Sequence, residues 1–293
     1  MKSTFNQIAI IHIPMLEEKQ LDQIQVFSKN PLKIYSSIPK SNEQLISWIG
    51  DVDGLITSLR VPFDSDTISR AKKLQYIGIY GSSTALVDLV AANKNNVVVK
   101  NVEQYCDTET AQFCLDALDA FYASTGMKRK RNPTIGVIGF GNVGKELIRI
   151  AHSKGFHSIY CRKKPDNDIE NQVASRVSLD ELLTRADIVS LQGPRDRMIL
   201  GSKEFDKMEG KVLINTSLGQ VMDAGALSSW LKNDQNHLIV DSVGHRIVSD
   251  ITPQQNIFHI DQPAWSTTTS RKRLFDQVLS NLREAILNLL VTW

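Results

Sequence analysis

"TIGVIGFGNVGKELIRIAHSKGFHSIYCRKK", residues 134–164, is the stretch on which the fold reading turns. It opens on a short apolar run, "TIGVI", and passes through Gly139-Phe140-Gly141-Asn142-Val143-Gly144, a G-x-G-x-x-G. Val143, Leu147, Ile150 and Ala151 then fall on one helical face, Gly155 ends that segment, and a second apolar run follows at Ser158–Cys161. Three fixed glycines recur by chance. A strand running into them, a helix opened by them and a strand beyond make the βαβ unit that a dinucleotide-binding turn requires. Gly139 allows the tight turn, Gly141 lets a pyrophosphate approach the backbone, and Gly144 lets the helix pack on the strand. The phosphates are expected at the positive end of the helix.

The end of the second strand separates two cofactors. An NAD-binding turn usually places Asp or Glu there for the ribose 2′-hydroxyl. This chain has Arg162, Lys163 and Lys164, cations suited to a 2′-phosphate. The expectation is NADP(H) in preference to NAD(H), with NAD(H) and an ordinary basic surface loop as the alternatives.

Outward from this unit the same alternation continues. Towards the N-terminus, Ile8–Ile13, Leu32–Tyr35, Gly54–Thr57, Tyr76–Tyr80 and Val97–Lys100 read as strands, with helical segments such as Ser41–Trp48 and Asp64–Ala71 between them. A long helix follows, with Asp107 able to cap it, Ala111, Cys114, Leu115, Leu118, Phe121 and Tyr122 on one stripe, and Gly126 able to end it. Towards the C-terminus, Asp187–Leu191, Lys211–Asn215, His237–Val240 and Ile257–Ile260 read as strands. Ser178 and Glu181 have the spacing of a capping box. A last helix runs from about residue 268 to 290, carrying Leu274, Val278, Leu282, Ile286 and Leu289. Strand–helix alternation of this kind implies an α/β fold, with parallel sheets covered on both faces.

Composition bounds the rest. The chain has 293 residues, 42% hydrophobic and 23% charged, values of an ordinary globular protein of about two domains. A net charge of +2 creates no field that favours nucleic acid or an anionic membrane. Lys128-Arg129-Lys130-Arg131 precedes Asn132-Pro133 and reads as a solvated linker. Cys106, Cys114 and Cys161 are odd in number and form no C-x-x-C pair, which fits a reducing compartment. With no signal-type apolar region and no run of membrane-helix length, a cytoplasmic protein is expected. The histidines, His12, His152, His157, His237, His245 and His259, show no ligand spacing, so no metal is expected.

Segments along nearly the whole chain resemble, in order, the D-isomer-specific 2-hydroxyacid dehydrogenase family. They are "GSSTALVDLVAANKNNVVVKN", "VEQYCDTETAQF", "GVIGFGNVGKELIRIAHSKGF", "LLTRADIVSLQGP", "LINTSLGQVMDAGAL", "LIVDSVG" and "DQPAWSTTTS". The resemblance implies two doubly wound parallel-sheet domains. A Rossmann cofactor domain, residues 105–265, is inserted into a flavodoxin-like substrate domain, residues 1–104 and 266–293, with a small-molecule substrate in the cleft between them. It adds Gly193, Pro194, Thr216, Ser217 and Asp241 to the cofactor-binding set of Gly139 to Gly144 and Arg162 to Lys164.

The resemblance also implies hydride transfer between a nicotinamide and a 2-oxo or 2-hydroxy acid. A histidine protonates the carbonyl oxygen, a glutamate orients that histidine, and an arginine holds the acid. Here those three positions are Gln262, Arg246 and Leu218. The family's acidic residue in the helix opening is Gln112. Its arginine after the third N-terminal strand falls at Ser58, with Arg60 two residues on. Shifting His259 or His245 into place breaks the match at Trp265 or leaves no glutamate partner. Loss of a general acid costs about 10²–10⁴-fold. The arm between Gly126 and Pro133 is short, which leaves the family's homodimer open. Two readings follow: an NADP(H) oxidoreductase with altered or weak chemistry, Arg246 supplying the lost cation, or a non-catalytic NADP(H)-binding sensor or partner-binding module. A short-chain dehydrogenase is excluded, because Tyr160 and Lys164 lie at a strand end and not on a long helix.

Overall fold

The computed structural model describes residues 4–162, 173–193, 197–252 and 254–291. The chain divides into two compact units, Met1–Tyr105 with Thr268–Trp293, and Cys106–Thr267.

Unit 1 alternates β1 (Ile8–Ile11), α1 (Glu18–Gln25), β2 (Lys33–Tyr35), α2 (Asn42–Ile49), β3 (Gly54–Ser58), α3 (Ser65–Arg70), β4 (Tyr76–Tyr80), α4 (Leu89–Lys94) and β5 (Val98–Lys100). The five strands are parallel in the order β2-β1-β3-β4-β5. β1 and β4 are buried along their whole length, as parallel strands covered on both faces must be. Side-chain caps open the helices: Ser41 accepts from the Gln44 N–H, Asp64 from Thr67 and Asp88 from Ala91. The buried Asp53 carboxylate accepts the Asn6 and Gln7 N–H groups, each at 2.9 Å, and closes the amino ends of β1 and β3. The first strand ends at Ile11, short of the Ile8–Ile13 run that its apolar residues suggest. His12 turns the chain out of the sheet with φ +54°.

Unit 2 begins with α5 (Asp107–Thr125). Its N-cap is Cys106, so Asp107 lies in the first turn, where its charge faces the helix dipole, and does not cap. Gly126 ends it at φ +70°. Then follow β6 (Thr134–Ile138), α6 (Asn142–Ser153), β7 (His157–Cys161), β8 (Ser175–Arg176), α7 (Leu179–Arg185), β9 (Ile188–Leu191), α8 (Ser202–Phe205), β10 (Val212–Asn215), α9 (Ala224–Trp230), β11 (His237–Asp241), α10 (Ser242–Val248) and β12 (Ile257–Ile260). The seven strands run in the order β12-β11-β10-β9-β6-β7-β8, all parallel. This is the Rossmann order, which reverses direction between β6 and β9. α11 (Thr268–Val291) returns to unit 1, where Arg273 donates to the Tyr105 carbonyl at 2.7 Å and Asn281 to that of Asn101 at 3.0 Å.

Strand period sets the two faces of the unit 2 sheet. Val212 and Ile214 pack with Leu115, Leu118 and Leu147 of α5 and α6. Leu213, between them in sequence, packs with Leu182, Leu227 and Trp230 on the other side. Each such leucine contributes about 1.5–3 kcal/mol by leaving water. Among the described residues, no helix is long and apolar enough to cross a membrane.

Candidate functional site

The turn from β6 into α6 is built around three glycines with three different surroundings. Gly139 has φ +94°, and a Cβ there would lie 2.2 Å from the Gln192 carbonyl oxygen, at the end of β9. Only glycine fits both the angle and the space. A Cβ on Gly144, inside α6, would meet the Gly139 carbonyl oxygen at 2.3 Å, so the helix rests directly on the turn. Gly141, the N-cap of α6, has nothing within 4 Å of its missing Cβ. Open space at the start of a 12-residue helix, whose first N–H groups have no partner within the helix, has the shape and the dipole to receive a pyrophosphate. The position is also the β6/β9 switch point, where open sheets of this class bind ligands.

Side chains around the turn are held firmly. Phe140 is buried and stacks on Tyr160 with ring centroids 3.8 Å apart. Asn142 is exposed at the first position of α6, and Val143 packs against the core. The Arg162 guanidinium and the Lys145 ammonium lie 6.0 and 5.9 Å from the Phe140 ring centroid. Lys163 and Lys164, with Pro194, lie outside the described residues. Beside Arg162 opens a cavity of about 650 Å³, lined also by Cys161, Ser175, Arg176 and Glu181. Arg176 donates through Nε to the Arg162 carbonyl at 3.2 Å. Nothing in the sequence around this second arginine marks it as a site residue. It sits in a two-residue strand with no periodicity to betray it, and only the β7–β8 pairing brings it to Arg162. Burial pushes the Cys161 thiol up from its ordinary value, with Arg176 pulling the other way.

The loops after β9 and β10 are locked to each other. Gly193 N–H donates to Ser217 Oγ at 3.1 Å, and that hydroxyl donates to the Leu191 carbonyl at 2.8 Å. Gln192 Nε2 reaches Thr216 Oγ1 and Ser190 Oγ, each at 3.0 Å, and Cys114 Sγ at 3.4 Å. Burial raises Cys114 to about 11, so its thiol stays protonated inside this network. Asp241 caps α10 by accepting the Gly244 N–H at 2.7 Å, and its other oxygen accepts the Ala264 N–H at 2.9 Å.

The three positions that the family resemblance assigns to chemistry lie on the same edge of the unit 2 sheet. Leu218 is half-buried after β10, next to Gly219 at φ +83°. Arg246 is exposed on α10. Gln262 is exposed after β12, where its amide donates to the Ser266 carbonyl at 3.2 Å and its backbone carbonyl accepts the Ser242 N–H at 3.3 Å. His245 and His259 stack face to face, centroids 3.8 Å apart and 4° from parallel. Gln112 donates to Asp116 along α5 at 2.6 Å. A larger cavity, about 1300 Å³, lies in unit 1 around Asn6, Asp53, Gln75 and Val98. It faces the amino ends of the strands, the edge that sheets of this class do not use for ligands.

Residues 110–262 match the sequence pattern described as "D-isomer specific 2-hydroxyacid dehydrogenase, NAD binding domain". The chain is 24% identical over 277 residues to a hydroxypyruvate reductase of Blautia hydrogenotrophica, covering 83% of this chain and 84% of that protein. Two solved structures share the fold. An acyclic imino acid reductase in complex with NADPH and D-Arg superposes with a TM-score of 0.78 at 22% identity, covering 96% of this chain and 97% of the other. A D-lactate dehydrogenase of Aquifex aeolicus complexed with NAD and lactic acid gives 0.78 at 18%, covering 96% of each.

Proposed function

Because the chain belongs to the D-isomer-specific 2-hydroxyacid dehydrogenase family, we propose that it is an NADP(H)-binding oxidoreductase whose hydride-transfer chemistry is altered or weak. Membership carries the coarser part: unit 2 is an NAD-binding domain, and its cofactor is a nicotinamide dinucleotide. The observation that supports the finer cofactor reading is that Arg162 and Arg176 both line the 650 Å³ cavity beyond β7, cations of the kind a 2′-phosphate pairs with.

When bound, the nicotinamide supplies the hydride. This chain's residues govern what else the reaction needs. Gln262 donates a hydrogen bond but has no proton to give, and Leu218 offers no charge to a carboxylate. Reduction of a 2-oxo acid is slowed by both losses. An iminium already carries its proton on nitrogen, so hydride addition to its carbon yields the amine without a general acid. Of oxo acids, aldehydes and imines, imines suffer least from Gln262.

The test is a fluorescence titration with NADPH and NADH, followed on the same sample by turnover with hydroxypyruvate, an aldehyde and a preformed imine. NADPH is expected to bind about tenfold or more tighter than NADH. Equal affinities overturn the cofactor preference. NADPH binding with no oxidation by any substrate favours the second reading, a non-catalytic sensor or partner-binding module. Its support is the replacement of all three positions that the family uses for chemistry by Leu218, Arg246 and Gln262.

A further inference from the structure

We infer that Gln192 is a positioning residue: its amide holds the loop after β10, which bears Leu218, in fixed register with the glycine turn that opens α6. Gln192 follows β9 directly, at the switch point of the unit 2 sheet. Its backbone meets the turn. The Gln192 N–H donates to the carbonyl of Ile138, the last residue of β6, at 2.7 Å, and its own carbonyl fills the space that a side chain on Gly139 would need. Its side chain meets the next loop. Nε2 donates to Thr216 Oγ1 at 3.0 Å, and that hydroxyl donates back to Oε1 at 3.2 Å. Thr216 stands two residues before Leu218.

The amide is itself held. Nε2 also reaches Ser190 Oγ at 3.0 Å and Cys114 Sγ at 3.4 Å, and both of those residues are fully buried. Ser190 belongs to β9 and Cys114 to α5, so two regular elements anchor the amide while a loop hydroxyl takes its position from it. Gln192 is only half-buried, and methionine would fill nearly the same space. What glutamine adds is the polar group that joins residues 114, 190 and 216. A Rossmann sheet receives the two halves of a dinucleotide on either side of its switch point. With the 2′-phosphate proposed at Arg162, after β7, the loops after β9 and β10 fall on the side of the nicotinamide half. The consequence for the cofactor rests on that proposal, whereas the hold on the loop does not.

The experiment compares the full-length natural chain with Gln192→Met, Thr216→Val and the double variant. Without cofactor, NMR relaxation dispersion at the Leu218 and Gly219 amides reads whether the loop moves on the microsecond-to-millisecond scale. The natural chain is expected to show none, and Gln192→Met to show it at both amides. With cofactor, Gln192→Met is expected to weaken NADPH about tenfold and to leave adenosine 2′,5′-bisphosphate, which lacks the nicotinamide half, unchanged. Thr216→Val is expected to match it, and the double variant to lose no more than either alone, because all three break the same contact. The inference is overturned if Leu218 and Gly219 stay quiet in Gln192→Met, if both ligands weaken equally or neither does, or if the two losses add. A natural chain that binds neither ligand sinks the cofactor proposal instead, and the dispersion measurement then decides the role of Gln192 alone.

Discussion

At the carboxyl edge of the unit 2 sheet, the turn after β6 and the loops after β10, β11 and β12 are built under opposite constraints. In the turn, Gly139 and Gly144 have no room for a methyl group, and their neighbours are backbone atoms that cannot move aside. In the loops, Leu218, Arg246 and Gln262 project from a backbone held by other residues, half-buried or exposed. The difference teaches where a protein can change without refolding. Binding geometry is written into backbone and resists substitution, whereas chemistry is written into side chains and does not.

The widest test of this contrast restores the loops. The combined variant Leu218→Arg, Arg246→Glu, Gln262→His is expected to raise the rate of hydroxypyruvate reduction by NADPH about 10²–10⁴-fold over the natural chain, measured as cofactor absorbance. No gain would mean that the loops are no longer a usable frame. The turn is expected to fail in the other direction. Gly139→Ala forces both φ and space, and loses about 3 kcal/mol in urea unfolding together with NADPH binding. Gly141→Ala, which enters open space, keeps stability within about 1 kcal/mol while weakening NADPH binding. Equal destabilisation by the two would erase the distinction between them.

Two smaller effects sharpen the comparison. Arg176→Gln is expected to weaken NADPH binding about tenfold and leave NADH unchanged, because only the former brings a 2′-phosphate. Asp187 provides a control at the opposite edge of the sheet. Burial pushes its carboxyl up, but Lys130 and the Thr134 N–H outweigh this and hold it below the usual range. A carboxyl depressed in the folded state stabilises fully above its unfolded value of about 3.9, and that contribution disappears as pH falls through the lower folded value. Asp187→Asn is therefore expected to cost about 0.5–1 kcal/mol at neutral pH and nothing in strong acid, with cofactor binding unaffected at neutral pH.

Periodicity makes most of the frame legible. "TIGVI" and "YIGIY" read as buried strands because strands covered on both faces are apolar throughout, and residues 134–138 and 76–80 are strands as read. The stripe from Ala111 to Tyr122 marks α5 in the same way. Local chemistry is harder to read. Residues 242–248, "SVGHRIV", form a helix because Asp241 caps it, a signal hidden by the apolar strand before it. The extension of β1 to Ile13 fails because His12 leaves the sheet at a positive φ, which composition does not encode. The Arg162–Arg176 and His12–Ser58 pairs are 14 and 46 residues apart, and only strand register joins them.

Asp241 has a consequence for how such a chain diversifies. One buried carboxylate fastens both the helix that bears Arg246 and the loop that follows Gln262, through backbone N–H groups alone. The fastening does not depend on which side chains those segments display. Descendants of one ancestor can then exchange reactive groups at this edge singly and in any order, each intermediate remaining folded. The fixture outlives the tools mounted on it, and a worn set can be replaced one tool at a time.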